Sequence, residues 1–152
     1  MTTPDTPRGP LQYPPVWLAL FAAMAWAAGQ FWPHGSPFVR VMGWALIAAG
    51  ILLMGVAALT MARARATLMP TSRPTALVTH GVYAFSRNPI YLADAIILAG
   101  LCLIWAPLAL PVLVPGFMIA ITRRFITREE RWLRERDAAT FSAWAARTRR
   151  WL

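Results

Sequence analysis

The sequence predicts an all-α fold: an integral membrane bundle of four transmembrane helices with a cytoplasmic helical C-terminal extension. Three observations lead there. Apolar residues make up 58% of the 152-residue chain and charged residues only 14%, against roughly 25% charged in soluble domains. The apolar residues come in blocks free of charge, 16–32, 41–62 and 95–122, each near or beyond the ~20 residues that cross a bilayer as a helix. The fifteen basic residues are all arginine and are unevenly placed. Arg63, Arg65, Arg73 and Arg87 lie between the second and third blocks and nine more lie between 123 and 150, whereas only Arg40 falls in the first inter-helix loop. Positive charge gathers on the cytoplasmic side of membrane proteins, so both termini are expected inside, at a bacterial inner membrane. Topology and anionic headgroups then account for the net charge of +9, and nucleic acid is not needed as a partner.

The chain reads as one domain, 1–152. Residues 1–15 hold Pro4, Pro7, Pro10, Pro14 and Pro15 and form an irregular lead. The first span covers about 16–32, with Trp17 and Trp32 as interfacial anchors. A turn at 33–37 leaves His34 exposed. The second span covers 38–61, and Gly43, Gly50 and Gly55 offer places where another helix can approach closely. The segment 66–88, broken by Pro70 and Pro74, is too long and distinctive for a plain connector. A third span, 89–105, begins at Asn88-Pro89: asparagine supplies a side-chain acceptor to the first turn, and proline fits the position where no donor is needed. The fourth span, 107–126, follows so tight a turn that it pairs with the third as an antiparallel hairpin. Pro107 suits a helix start, while Pro111 and Pro115 on the same face are expected to remove hydrogen bonds and bend the helix. The helix then leaves the membrane without a break. The C-terminal helices, 127–152, bring Phe141, Trp144 and Trp151 among arginines, as in a helix lying on headgroups or on the core.

Two groups of polar residues stand out from this frame. One is Tyr83, Arg87, Asn88, Tyr91 and Asp94 in the stretch 77–94. Asp94 lies one turn inside the third span, where a lone carboxylate is costly, and Arg87 or an arginine of the fourth helix is its expected partner. The other is the pair Glu129-Glu130, which either neutralises Arg128, Arg131 and Arg134 on its own helix or serves a site. Cys102 is the one cysteine and lies in an apolar run, and the two histidines are far apart, so neither a disulfide framework nor a metal site is expected. Motifs of the phosphate-loop, dinucleotide, zinc-protease and nucleophile-elbow types are absent.

The stretch T-H-G-V-Y-A-F-S-R-N-P-I-Y-L (79–92), then R-E-E-R-W-L (128–133) and R-T-R-R-W-L (147–152), resembles the isoprenylcysteine carboxyl methyltransferase family and the related phospholipid methyltransferases. That group shows G-P-Y-x-x-x-R-H-P-x-Y, a late E-E-x-x-L and a terminal R-V-x-R. The resemblance implies S-adenosylmethionine bound at the cytoplasmic end of the last helix pair by His80, Gly81, Tyr83, Arg87, Asn88, Pro89, Tyr91, Leu92, Glu129 and Glu130. Arg87 and Asn88 would serve catalysis. Asp94, Arg124, Trp144 and Arg150 would meet the acceptor, a lipophilic small molecule or lipid reached from the surrounding membrane. Asn88 stands where the family has histidine, and Asp137-Ala138 where Phe-Gly is common. An NADPH-dependent sterol-reductase-like enzyme, whose R-x-P-x-Y-L-x-D/E pattern Asp94 suits, and a non-catalytic four-helix membrane protein are the alternatives.

Overall fold

The computed structural model describes residues 9–31, 35–66 and 77–152. The expectations for Trp32, His34, Pro70, Pro74 and most of the proline-rich lead lie outside the described residues.

Six α-helices lie among the described residues: α1 (Pro14–Gly29), α2 (Pro37–Arg63), α3 (Pro89–Trp105), α4 (Leu110–Ile121), α5 (Thr127–Arg136) and α6 (Ala138–Arg147). No strand forms among the described residues; a single bridge pairs Ser86 with Arg149. Each apolar helix starts on a proline or one residue before one, where a missing N–H costs nothing. Among the described residues, two helical runs are long and apolar enough to cross a membrane, α2 with 27 residues and the continuous run Pro107–Arg136 with 30. Only 11% of the most apolar stretch of α2 is buried inside the molecule, which a core helix of a water-soluble protein would not tolerate. The helices α1 and α3, of 16 and 17 residues, rise about 25 Å at 1.5 Å per residue. Both fall short of the roughly 20 residues usual for a span, and α1 stops three residues before the expected limit.

The central element is α3. It buries Tyr91, Leu92, Ala93, Asp94, Ala95, Leu98, Gly100 and Cys102, with α2 on one side and α1 and α4 on the other. One core joins α1, α3, α4 and the turn after α4 through Leu98, Cys102, Phe117, Ile121, Phe125 and Ile126, with Phe21 edge-on to Phe117 at 5.6 Å. A second core, of Ala57, Val78, Tyr83, Phe141 and Trp144, fastens α6 and the motif segment to the end of α2.

The glycines of α2 divide. A Cβ on Gly43 would lie 2.7 Å from the Gly100 carbonyl oxygen, and one on Gly50 would lie 3.0 Å from that of Ala93; both sit in the α2–α3 contact. Gly55 has nothing within 4 Å of a would-be Cβ, so it is not a close-approach position. It faces outward, because the contact stripe continues from Gly50 to the buried Ala57.

The prolines of the fourth span also need correction. Pro107 starts a 3-10 turn, Pro107–Ala109, and Pro111 falls in the first turn of α4, so of the three only Pro115 is inside the helix. Pro111 and Pro115 are exposed. Past Ile121 the helix passes through a π-turn, Thr122–Ile126, into α5. Asp137 then ends α5 and caps α6, its carboxylate accepting from the Thr140 N–H at 3.0 Å. The Thr140 side chain, and after it this backbone hydrogen bond, hold the Asp137 carboxyl below the usual carboxylate range.

Candidate functional site

The motif segment approaches α3 through a 3-10 turn, Gly81–Ala84. Gly81 has φ +62°, a conformation that strains other residues. The turn is held from the far end of the chain: the Trp144 indole N–H donates to the Tyr83 carbonyl at 2.9 Å, and the Thr148 hydroxyl donates to that of Ala84 at 3.3 Å. Burial, and Glu129 after it, push the Tyr83 phenol well above its ordinary range, so it stays a neutral hydrogen-bonding group. Ser86 then accepts the Asn88 N–H at 3.2 Å through its hydroxyl.

Asn88 occupies the cap position of α3, but its side chain makes no capping hydrogen bond. Its amide instead donates to the Arg150 carbonyl at 3.0 Å, while the Arg87 N–H donates to the Arg149 carbonyl at 3.0 Å. The expected side-chain cap is therefore replaced by a strap to the C-terminal segment. Arg150 also turns its side chain inward. Its Nε and Nη2 donate to the two oxygens of Glu130 at 3.0 and 2.6 Å, and this bond raises the guanidinium further above its usual range. Arg87 reaches the same carboxylate at 3.3 Å. Glu130 is thus a buried hub between two arginines.

Glu129 turns to the other side and accepts the Tyr91 hydroxyl at 2.6 Å. Both carboxylates reach off their own helix, so the pair is more than a solvated face set against Arg128, Arg131 and Arg134. The Tyr91 ring lies 6.4 Å from that of Phe125, and the Arg128 guanidinium stands over Phe125 and Trp132 at 5.9 and 5.2 Å.

Several expected residues fall elsewhere. Asp94 is buried, but no arginine pairs with it among the described residues: Arg87 is drawn to Glu130, and the arginines of the fourth helix lie beyond its apolar stretch, from Arg123 onward. His80 is exposed, Leu92 and Pro89 are buried, and Trp144 is a core residue. Arg124 lies apart from the Glu130 hub, lining a cavity with Gln12, Arg123, Phe125 and Arg128. Ser86, Thr148 and the carbonyls of Arg149 and Arg150 are site-building groups that sequence reasoning missed. Only Ser86 left a signal, a hydroxyl two residues before Asn88, the spacing of a serine turn. No group of three or more possible metal ligands occurs among the described residues.

A family model described as phospholipid methyltransferase matches residues 38–136, and the chain belongs to that family. The matched region takes in α2, the motif segment and Glu129-Glu130; α1, α6 and Arg150 lie outside it. No curated protein and no solved structure matches the chain. The family supports methyl transfer at a membrane and gives no support to a reductase or a non-catalytic role.

Proposed function

We propose that the chain transfers a methyl group from S-adenosylmethionine to a lipophilic acceptor at the cytoplasmic interface, with all four apolar helices spanning the bilayer and both termini inside. The observation that carries this is the convergence of Arg87, Asn88 and Tyr91, at the start of α3, on Glu129, Glu130 and Arg150. The residues present fit the cofactor. The Arg87 Nε is buried and has no hydrogen-bond partner among the described residues, an orphan donor that a carboxylate would satisfy. Glu129 accepts the Tyr91 hydroxyl through one of its two oxygens, and a carboxylate has further lone pairs to offer an ammonium. Glu130, held by two arginines, positions Arg87 and closes the site toward the C-terminal segment. The cofactor supplies an electrophilic methyl; the protein aligns it with the acceptor and excludes water.

Two variants test the placement. Arg87→Lys keeps the charge that Glu130 needs but cannot reproduce the planar fork. It is expected to stay folded and to bind S-adenosylhomocysteine at least tenfold more weakly, on the order of 1.4 kcal/mol. Asn88→Ser loses the bridge to the Arg150 carbonyl and is expected to lower turnover more than thermal stability. Binding and turnover like the parent in both would place the site elsewhere. Thermal stabilisation of the detergent-purified protein by S-adenosylhomocysteine but not by NADP separates this function from the reductase. For the topology, a reporter fused after Leu152 should be active only in the cytoplasm; activity outside would overturn the arrangement.

A further inference from the structure

The segment 148–151 is fastened at both ends, and its outer fastening is a residue that no motif assigns. At the inner end Thr148 is buried. Its N–H donates to the Trp144 carbonyl at 3.0 Å and its hydroxyl to that of Ala84 at 3.3 Å, so α6 and the motif turn hold it. In the middle the chain lies beside Ser86 as a parallel bridge, and the carbonyls of Arg149 and Arg150 take the Arg87 N–H and the Asn88 amide. At the outer end stands Trp151. Its indole N–H donates to the Thr122 hydroxyl at 3.3 Å, and its ring packs on the core that joins α1, α3, α4 and the π-turn. Trp151 stands after the R-x-x-R pattern, Arg147 to Arg150, and outside the matched residues 38–136.

We infer that Trp151 is a positioning residue: latched onto Thr122, it keeps Arg150 on Glu130, and through Glu130 it keeps Arg87 aimed at the cofactor. This role rests on the methyl-transfer function proposed above. Charge makes the latch necessary. Two guanidiniums share one carboxylate, so they repel each other and the cluster carries a net positive charge. Arg87 has nowhere to retreat, because it precedes the first turn of α3 and its side chain is only 15% exposed. Arg150 is 38% exposed; water and salt reach it, and an ion pair of that kind holds a segment weakly. An aromatic ring in an apolar seat is held by a force that salt does not screen. Placed one residue beyond Arg150, it leaves the arginine no slack in which to swing away. Thr122 also opens the π-turn Thr122–Ile126, which leads into the helix of Glu129 and Glu130. The latch therefore ties the segment to the same helical run that carries its counter-charge.

The test joins two measurements on the detergent-purified full chain. Trypsin cleavage after Arg149 and Arg150, followed by mass spectrometry, reports how often the segment comes away. Calorimetric titration with S-adenosylhomocysteine at about 0.1 M and about 1 M sodium chloride reports how well Arg87 is held, since the screening length falls from roughly 10 to about 3 Å. Trp151→Ala should speed the cleavage at least tenfold while the thermal midpoint stays near that of the parent. It should also weaken S-adenosylhomocysteine at least tenfold, with a deficit against the parent that widens at the higher salt. Thr122→Val, which loses the acceptor and leaves the cleaved sequence untouched, and Trp151→Phe, which keeps a ring but loses the donor, should each show smaller losses. Combined, the two should lose no more than either alone. Thr122→Ser retains the hydroxyl and should behave like the parent, as should Leu152→Ala, whose side chain is exposed. A Trp151→Ala protein cleaved like the parent, or cleaved faster yet binding S-adenosylhomocysteine as tightly, would overturn the positioning role. A deficit equal at both salts would mean that Trp151 supports the fold in general, and would overturn it too. No binding by the parent would sink methyl transfer itself, whereas equal binding by parent and variant sinks the latch alone.

Discussion

Gly100→Leu is expected to leave no folded protein, and Gly100→Ala to lower the thermal midpoint in detergent by roughly 6–12 °C, about 3 kcal/mol. A Cβ on Gly100 would sit 2.5 Å from the Gly43 carbonyl oxygen and 2.7 Å from Ile47 Cγ1, while one on Gly43 would sit 2.7 Å from the Gly100 oxygen. The two backbones touch, so no rotamer change can make room and the helices must part. Parting them exposes the helix that carries Tyr91 and Asn88 on its first turns. Between helices in a bilayer, where lipid is as apolar as leucine, this fit supplies most of the attraction. Gly55→Leu is the control, since it meets nothing, and should behave like the parent. A Gly100→Leu protein that is monodisperse and melts with the parent would refute the α2–α3 contact as drawn.

Glu130→Ala should be the most damaging change among the polar residues. It leaves Arg87 and Arg150 facing each other without their shared counter-charge. Breaking a buried ion pair by removing one partner costs about 3–5 kcal/mol. Arg150 is 38% exposed and water screens part of its charge, so about 3 kcal/mol is expected. S-adenosylhomocysteine affinity should fall at least tenfold as well, because Arg87 loses the group that aims it. Glu129→Gln should separate the two roles: Tyr91 can still donate to the amide oxygen, so stability should change little while cofactor affinity falls. The reverse pattern, with stability lost at Glu129 and cofactor binding kept at Glu130, would exchange the functions assigned to them. A double-mutant cycle between Glu130→Ala and Arg150→Ala gives the coupling directly.

The fold was legible where the sequence is punctuated. The proline starts of α2 and α3 and the turn before Pro107 fall within a residue or two of where the pattern put them, since a proline at a helix start is a local rule. The first span was drawn too long because apolar composition continues past Gly29 while the helix does not. The break at Asp137 went unread: an arginine-rich amphipathic stretch looks continuous, yet an aspartate three residues before a threonine N–H both stops one helix and caps the next. At the candidate site, the residue types were readable but their partners were not. Asn88 has the sequence context of a cap, and only the long-range approach of the C-terminal segment diverts its amide to Arg150. Asp94 and Arg87 are close in sequence, but Glu130, forty-three positions away along the chain, wins the guanidinium. No local rule contains that competition.

The π-turn between α4 and α5 bears on how the last helix divides its labour. Each residue of an α-helix turns the chain by about 100°, and a π-turn absorbs one residue more than the α-helix would. The apolar half and the charged half of the run Pro107–Arg136 are therefore phased independently. Phe117 and Ile121 can keep their face toward α3 whatever angle Glu129 and Glu130 require. Take away one residue at 122–126, and the helix would close up as regular α-helix with its lipid-side packing intact. Both carboxylates would then swing by about a quarter-turn, one off Tyr91 and the other off its arginines. The turn works as a vernier, letting an apolar helix fixed by its packing present its charges to a site whose angle that packing does not set.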